Sequence, residues 1–121
     1  LYTGVAHLIK YGAAATYISR GNWMECVKST SLPVGVTENA GCECSIKKYF
    51  AGDLIVMVSD GVLDSIMVEN KDDYMRARIQ DIKDEEPEDI VRTLIEEIRS
   101  TCGNRLKDDA TIIACRVMKN V

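Results

Sequence analysis

Over residues 6–59 the apolar positions come in short runs broken by turn-forming residues, the spacing of strands rather than helices. The runs fall at 6–11, 15–19, 23–29, 42–49 and 54–59, with turns at Arg20-Gly21-Asn22, Leu32-Pro33-Val34-Gly35 and Ala51-Gly52-Asp53. Short connections predict antiparallel pairing of successive strands. Residues 47–53 read as a polar link into the run 54–59, whose unbroken apolar character suits a central strand buried on both faces. After Asp60 the pattern changes. Residues 62–67 read as a short helical segment, and the mixed charges of 69–89 read mostly as a solvated surface. Glu86-Pro87-Glu88-Asp89 places proline and acids where a helix begins, and Ile90, Val91, Leu94, Ile95 and Ile98 then recur at helical spacing, predicting a helix over 87–100. Gly103 and Asn104 end it, and the β-branched run 110–117 predicts a closing strand. No internal repeat or low-complexity segment interrupts this α+β order.

With 121 residues, 46% of them hydrophobic, the chain suffices for one domain with its own core. A net charge of −4 and a pI near 5.0 supply no attraction for nucleic acid or for an anionic membrane, and no apolar run approaches the roughly 20 residues that span a bilayer. The five cysteines are an odd number without a secretory leader, which predicts reduced thiols and a cytoplasmic address. Cys42 and Cys44 read as two residues on one face of a strand, and His7 as an ordinary strand residue without a role. The chain starts without methionine, and Tyr2-Thr3-Gly4 reads as a hairpin turn with one of its two strands present. Residues 1–121 are therefore expected to be one partial domain. Its unpaired sheet edge would invite pairing with a second copy, a homodimer.

Two acidic sites bracket the last two predicted strands. Asp60 follows the run 54–59, and Asp108 precedes the run 110–117. Were these strands antiparallel neighbours, both carboxylates would come to the same rim of the sheet. Crowded carboxylates raise each other's pKa unless a cation sits between them, and Mg²⁺ or Mn²⁺ favours hard oxygen ligands of this kind. Gly61 suits such a site because it lets the backbone turn sharply or approach a ligand closely. The same residues also fit plainer roles, Asp60 as a helix N-cap and Asp108-Asp109 as turn chemistry.

The string GDLIVMVSDGVLDS, followed 48 positions after Asp60 by Asp108-Asp109-Ala110-Thr111-Ile112-Ile113, resembles the C-terminal half of a metal-dependent protein phosphatase of the 2C type. The stretch GNWMECVKSTSLPVGV and the opening Leu1-Tyr2-Thr3-Gly4 are similar to a sporulation branch of that family. The resemblance covers essentially the whole chain. It implies an antiparallel β-sandwich with flanking helices, the C-terminal half of an αββα fold, with two Mn²⁺ or Mg²⁺ ions in the intact domain. It also implies direct attack of an activated water on a phosphoserine or phosphothreonine, without a phosphoenzyme. By the same resemblance Asp60 and Asp108 would be ligands of one metal and Asp109 a group that orients a ligand. The substrate would be a phosphorylated anti-anti-sigma factor, whose dephosphorylation frees a sporulation sigma factor, and upstream segments would anchor the whole protein in the bacterial cell membrane. The family's other acidic motifs would lie before Leu1, so these residues alone are expected to bind metal weakly and turn over little. The alternative is a non-catalytic phosphatase-like module that binds a partner protein; retention of both acids favours the enzyme.

Overall fold

The computed structural model describes residues 4–39 and 41–119. Five strands come first: β1 (Val5–Lys10), β2 (Thr16–Arg20), β3 (Trp23–Val27), β4 (Glu43–Lys48) and β5 (Leu54–Val58). Three helices follow, α1 (Asp60–Ser65), α2 (Lys71–Ile82) and α3 (Pro87–Thr101), and β6 (Ile112–Arg116) closes the order. The strands form an antiparallel four-stranded sheet, β3-β2-β5-β6, and a separate antiparallel ribbon of β1 and β4. The hairpin turn expected at Tyr2-Thr3-Gly4 lies largely outside the described residues.

Alternation along the strands decides which face meets which layer. Tyr17 on β2 and Leu54, Val56 and Val58 on β5 point at the helices, where they join Met75, Ile79, Ile90, Leu94 and Ile98 in one buried cluster. Each such side chain contributes about 1.5–3 kcal/mol by leaving water. The opposite face carries Ile18, Arg20, Glu25, Ile55, Met57 and Ile113. The ribbon lies on this side, tied by an ion pair from Lys47 to Glu25 and by a hydrogen bond from Arg20 Nη2 to the Lys48 carbonyl, 3.1 Å. The protein is thus layered as ribbon, sheet and helices.

Three expectations from the sequence need correction. Strand β1 pairs with β4 and not with β2, its nearest successor. The chain passes from ribbon to sheet at Gly12, where φ is +57° and an added Cβ would lie 2.5 Å from the Pro33 nitrogen, so only glycine permits the crossing. The charge run 69–89 contains a full helix, α2, because Met75, Ile79 and Ile82 form an apolar stripe sparse enough to be hidden among the charges. Asn70 caps its start by accepting a hydrogen bond from the Asp73 N–H, 3.1 Å. Strand β5 is central, but Met57 is 39% exposed because the ribbon does not reach it.

Two polar anchors fix the sheet. Asp53, only 1% exposed, precedes β5 and accepts from Arg20 Nε at 2.8 Å, Arg20 Nη2 at 2.6 Å and the Phe50 N–H at 2.9 Å. The guanidinium also stacks over Phe50, 4.2 Å from the ring centre. Burial pushes the Asp53 pKa up, but the Arg20 and Phe50 hydrogen bonds outweigh it and hold the carboxyl below its usual 3.8. At the helix side, the fully buried Tyr17 donates its hydroxyl to Asp72 of α2, 3.0 Å, and Lys28 pairs with the same carboxylate. Burial, and then the Asp72 charge, push the Tyr17 phenol far above its ordinary range. No helix among the described residues is long and apolar enough to cross a membrane.

Candidate metal centre

The two acidic segments meet. Strands β5 and β6 are neighbours with Val58 opposite Ile112, and the ladder runs on past both ends, since the Ser59 N–H donates to the Thr111 carbonyl at 3.0 Å. Asp60 follows this pair and Asp108-Asp109 precedes it. The segments are in direct contact at Gly61, where an added Cβ would lie 2.1 Å from the Asp109 carbonyl oxygen and 3.3 Å from the Asp108 carbonyl carbon. Glycine at 61 is therefore a condition for the turn to lie against α1, a steric reason beyond the general freedom expected of it.

Serines hold this contact. Ser59 Oγ accepts from the Thr111 N–H at 2.9 Å and donates to the Asp109 carbonyl at 3.4 Å. Ser65, fully buried, donates to the Gly61 carbonyl at 2.7 Å and accepts from the Lys107 N–H at 3.4 Å. One hydroxyl thus fastens the turn after Asp108 and the other the turn before it. Sequence reasoning gave neither serine a role, although the Ser-Asp-Gly triplet was the available signal: a hydroxyl beside the acid, at a strand end, is the local group able to bind a neighbouring backbone.

The plainer roles receive different answers. Ser59, not Asp60, occupies the N-cap position of α1, and Asp60 is its first residue, so Asp60 is no cap. Asp108 does take part in turn chemistry, because its Oδ1 accepts from the Asp109 N–H at 2.8 Å. Asp60, Asp108 and Asp109 are all exposed, and none of the three joins an ion pair among the described residues. Exposed, hard carboxylate oxygens on these two adjoining segments fit Mg²⁺ or Mn²⁺ in kind. In number they fall short, since among the described residues no group of three or more His, Cys, Asp or Glu side chains gathers where an ion could sit. Six-coordinate ions would have to draw their remaining ligands from water or from other residues.

Comparison with known proteins bears on what this rim belongs to. A model of the stage II sporulation protein E family matches residues 1–118. The chain belongs to that family. It is 31% identical to stage II sporulation protein E of Bacillus subtilis (strain 168) over 113 residues, which cover 93% of this chain and 14% of that protein. It therefore spans about a seventh of its curated relative. The solved protein phosphatase 2C domain of the Bacillus subtilis stage II sporulation protein E, with a fragment of its regulatory domain, superposes with a TM-score of 0.85 at 30% identity, covering 96% of this chain and 35% of that one. The phosphatase domain by itself, from crystals presoaked in manganese, superposes with a TM-score of 0.83 at 27% identity, covering 97% of this chain and 52% of that one. The protein phosphatase 2C-like fold of two antiparallel sheets with flanking helices, expected for stage II sporulation protein E, is the fold observed here.

Proposed function

We propose that this chain supplies one ligand pair and the supporting rim of a metal-dependent serine/threonine protein phosphatase. The observation that carries the reading is the Gly61–Asp109 backbone contact, which puts the Ser-Asp-Gly and Asp-Asp-Ala-Thr segments against each other at the end of β5 and β6. Asp60 and Asp108 would hold one Mn²⁺ or Mg²⁺, the former ion being the one with which a related domain was soaked. Such ions make water nucleophilic near neutral pH and neutralise charge on a phosphoryl group. The rest is work for the chain itself. Strand β5 holds Asp60 on a rigid mount, Ser59 and Ser65 fix the turn that carries Asp108, and Gly61 gives that turn room. Asp109 spans both parts, its N–H bound to the Asp108 carboxylate and its carbonyl resting on Gly61. The substrate would be phosphoserine on an anti-anti-sigma factor, and the role activation of a sporulation sigma factor by partner switching. The acids that complete the centre come from outside this chain. Membrane anchoring, too, would belong to other segments of the whole protein.

The test uses both the chain and an intact domain carrying it. Calorimetric titration of the 121-residue chain with Mn²⁺ should give weak binding that Asp108→Asn abolishes. In the intact domain, Asp60→Asn or Asp108→Asn should each remove phosphoserine hydrolysis while the circular dichroism spectrum is unchanged. Wild-type turnover in either variant would exclude that residue as an essential ligand.

A further inference from the structure

The chain carries a net charge of −4, and most of its cations are engaged within the fold. Six of them, from Arg20 to Arg92, sit in ion pairs among the described residues, while Lys83 and Arg116 donate to backbone carbonyls. Arg105 and Lys107 are exposed and join no ion pair among the described residues.

These two cations occupy the turn that leads into the candidate metal centre, and their backbone is held. Gly103 and Asn104, at φ +63° and +62°, end α3 and turn the chain back. The Asn104 N–H donates to the Arg99 carbonyl at 2.8 Å, and the Arg105 N–H to the Cys102 carbonyl at 3.3 Å. Leu106 packs against the buried cluster, and Ser65 Oγ accepts from the Lys107 N–H at 3.4 Å. An inward leucine between two exposed cations thus fixes where the positive charge stands.

The acids of α1 and of this turn are largely committed elsewhere. Asp64, beside Ser65, is held by Lys71 at 3.2 Å. Asp60 and Asp108 are the proposed ligands, and Asp108 Oδ1 already accepts from the Asp109 N–H. Asp109 is left against two cations, a net positive charge at the edge of the rim. Consecutive Cα atoms are about 3.8 Å apart, so Lys107 adjoins Asp108 and Arg105 lies at most about 11 Å from it. An extended peptide advances about 3.3–3.6 Å per residue, which puts the two cations opposite residues about one to three places from a phosphoserine seated at the rim. That spacing is within reach of screened charge, whose range is about 8–10 Å at ordinary ionic strength.

We infer that Arg105 and Lys107 set the sequence preference of the site, favouring a phosphoserine with aspartate or glutamate within about three residues on either side. The inference rests on the phosphatase reading and goes beyond it, because Asp60 and Asp108 would serve any phosphoryl ester alike. Arg105 and Lys107 meet the flanking residues and not the reacting atoms; they are specificity residues.

The test takes an intact domain carrying this chain, with Mn²⁺, and three substrates: p-nitrophenyl phosphate and two phosphoserine peptides of equal length, one flanked by glutamates and one by lysines. The glutamate peptide should be preferred in kcat/KM by about fivefold or more at about 50 mM salt, and by less than about twofold at about 0.5 M. Arg105→Gln and Lys107→Gln together should abolish the preference through KM, with kcat and p-nitrophenyl phosphate hydrolysis within about twofold of wild type. Arg105→Lys with Lys107→Arg should keep the preference, as should Lys48→Gln at the opposite end of the sheet. Hydrolysis of p-nitrophenyl phosphate without a preference for the glutamate peptide, or a preference that survives the double glutamine variant, overturns the inference and leaves the phosphatase reading standing. Failure to hydrolyse any of the three overturns both.

Discussion

Replacing Asp53 by asparagine keeps the shape of the side chain and removes its charge, and it turns one of two acceptor oxygens into a donor. Three donors converge on that carboxylate, two from Arg20 and one from the Phe50 backbone, and the group is 1% exposed. Removing one member of a buried ion pair costs about 3–5 kcal/mol when the other is left stranded. Arg20 is not stranded, since its side chain is 40% exposed and water can reach it. The loss is therefore set mainly by the Phe50 N–H and by one repelled guanidinium donor, about 2–3 kcal/mol in all. For a domain of this size that corresponds to a fall of about 10 °C in Tm. Thermal melts followed by circular dichroism, wild type against Asp53→Asn at pH 7, provide the measure. The pH dependence adds a sign. The folded pKa lies below 3.8, so the contribution is complete above the unfolded value and is lost as pH falls through the folded one. The gap between wild type and variant should be constant from about pH 7 to 5 and close below about pH 4. A variant melting within about 2 °C of wild type at neutral pH would refute the account of Asp53 as the anchor of β5.

Gly61→Ala should destabilise the chain by about 1–3 kcal/mol in urea unfolding, because its Cβ cannot coexist with the Asp109 carbonyl; in an intact domain it should also lower metal affinity although both acids remain, and an unchanged midpoint would show that the turn yields freely. Tyr17→Phe should cost about 1 kcal/mol, and the difference should shrink above about pH 10: the folded phenol titrates above its unfolded value, so wild type loses this stability as pH rises while the variant has none to lose. Absorbance titration showing Tyr17 ionised at its ordinary pKa in the folded chain would contradict that.

Strong local signals were legible without coordinates. The uninterrupted Leu54-to-Val58 run, the Pro87 start with Ile90, Leu94 and Ile98 behind it, and the β-branched last strand all appear where the pattern put them, because each element's own residues decide its form. Pairing was less legible. Nothing local to residues 6–19 announces that β1 joins β4, since the decision is made at Gly12 by a contact with Pro33, distant in sequence. Helix α2 was obscured for a related reason: a few apolar residues suffice to seat it, and they are outvoted by charge in any window average. At the rim, the acids could be named from type and spacing, and their segments do adjoin. The serines that fasten them could not be ranked, because a hydroxyl's role depends on which backbone group a remote turn brings to it.

Ser59 carries a consequence for reading related chains. Its single oxygen serves two residues of the neighbouring turn, so a homologue with alanine at that position would preserve every acid and yet lose the side-chain tether after Asp108, leaving Ser65 to hold the turn from the other side. Cataloguing aspartates alone would score such a chain as competent. An inventory of intact phosphatases that ignores this hydroxyl would count any member whose proposed ligands are all present but out of place.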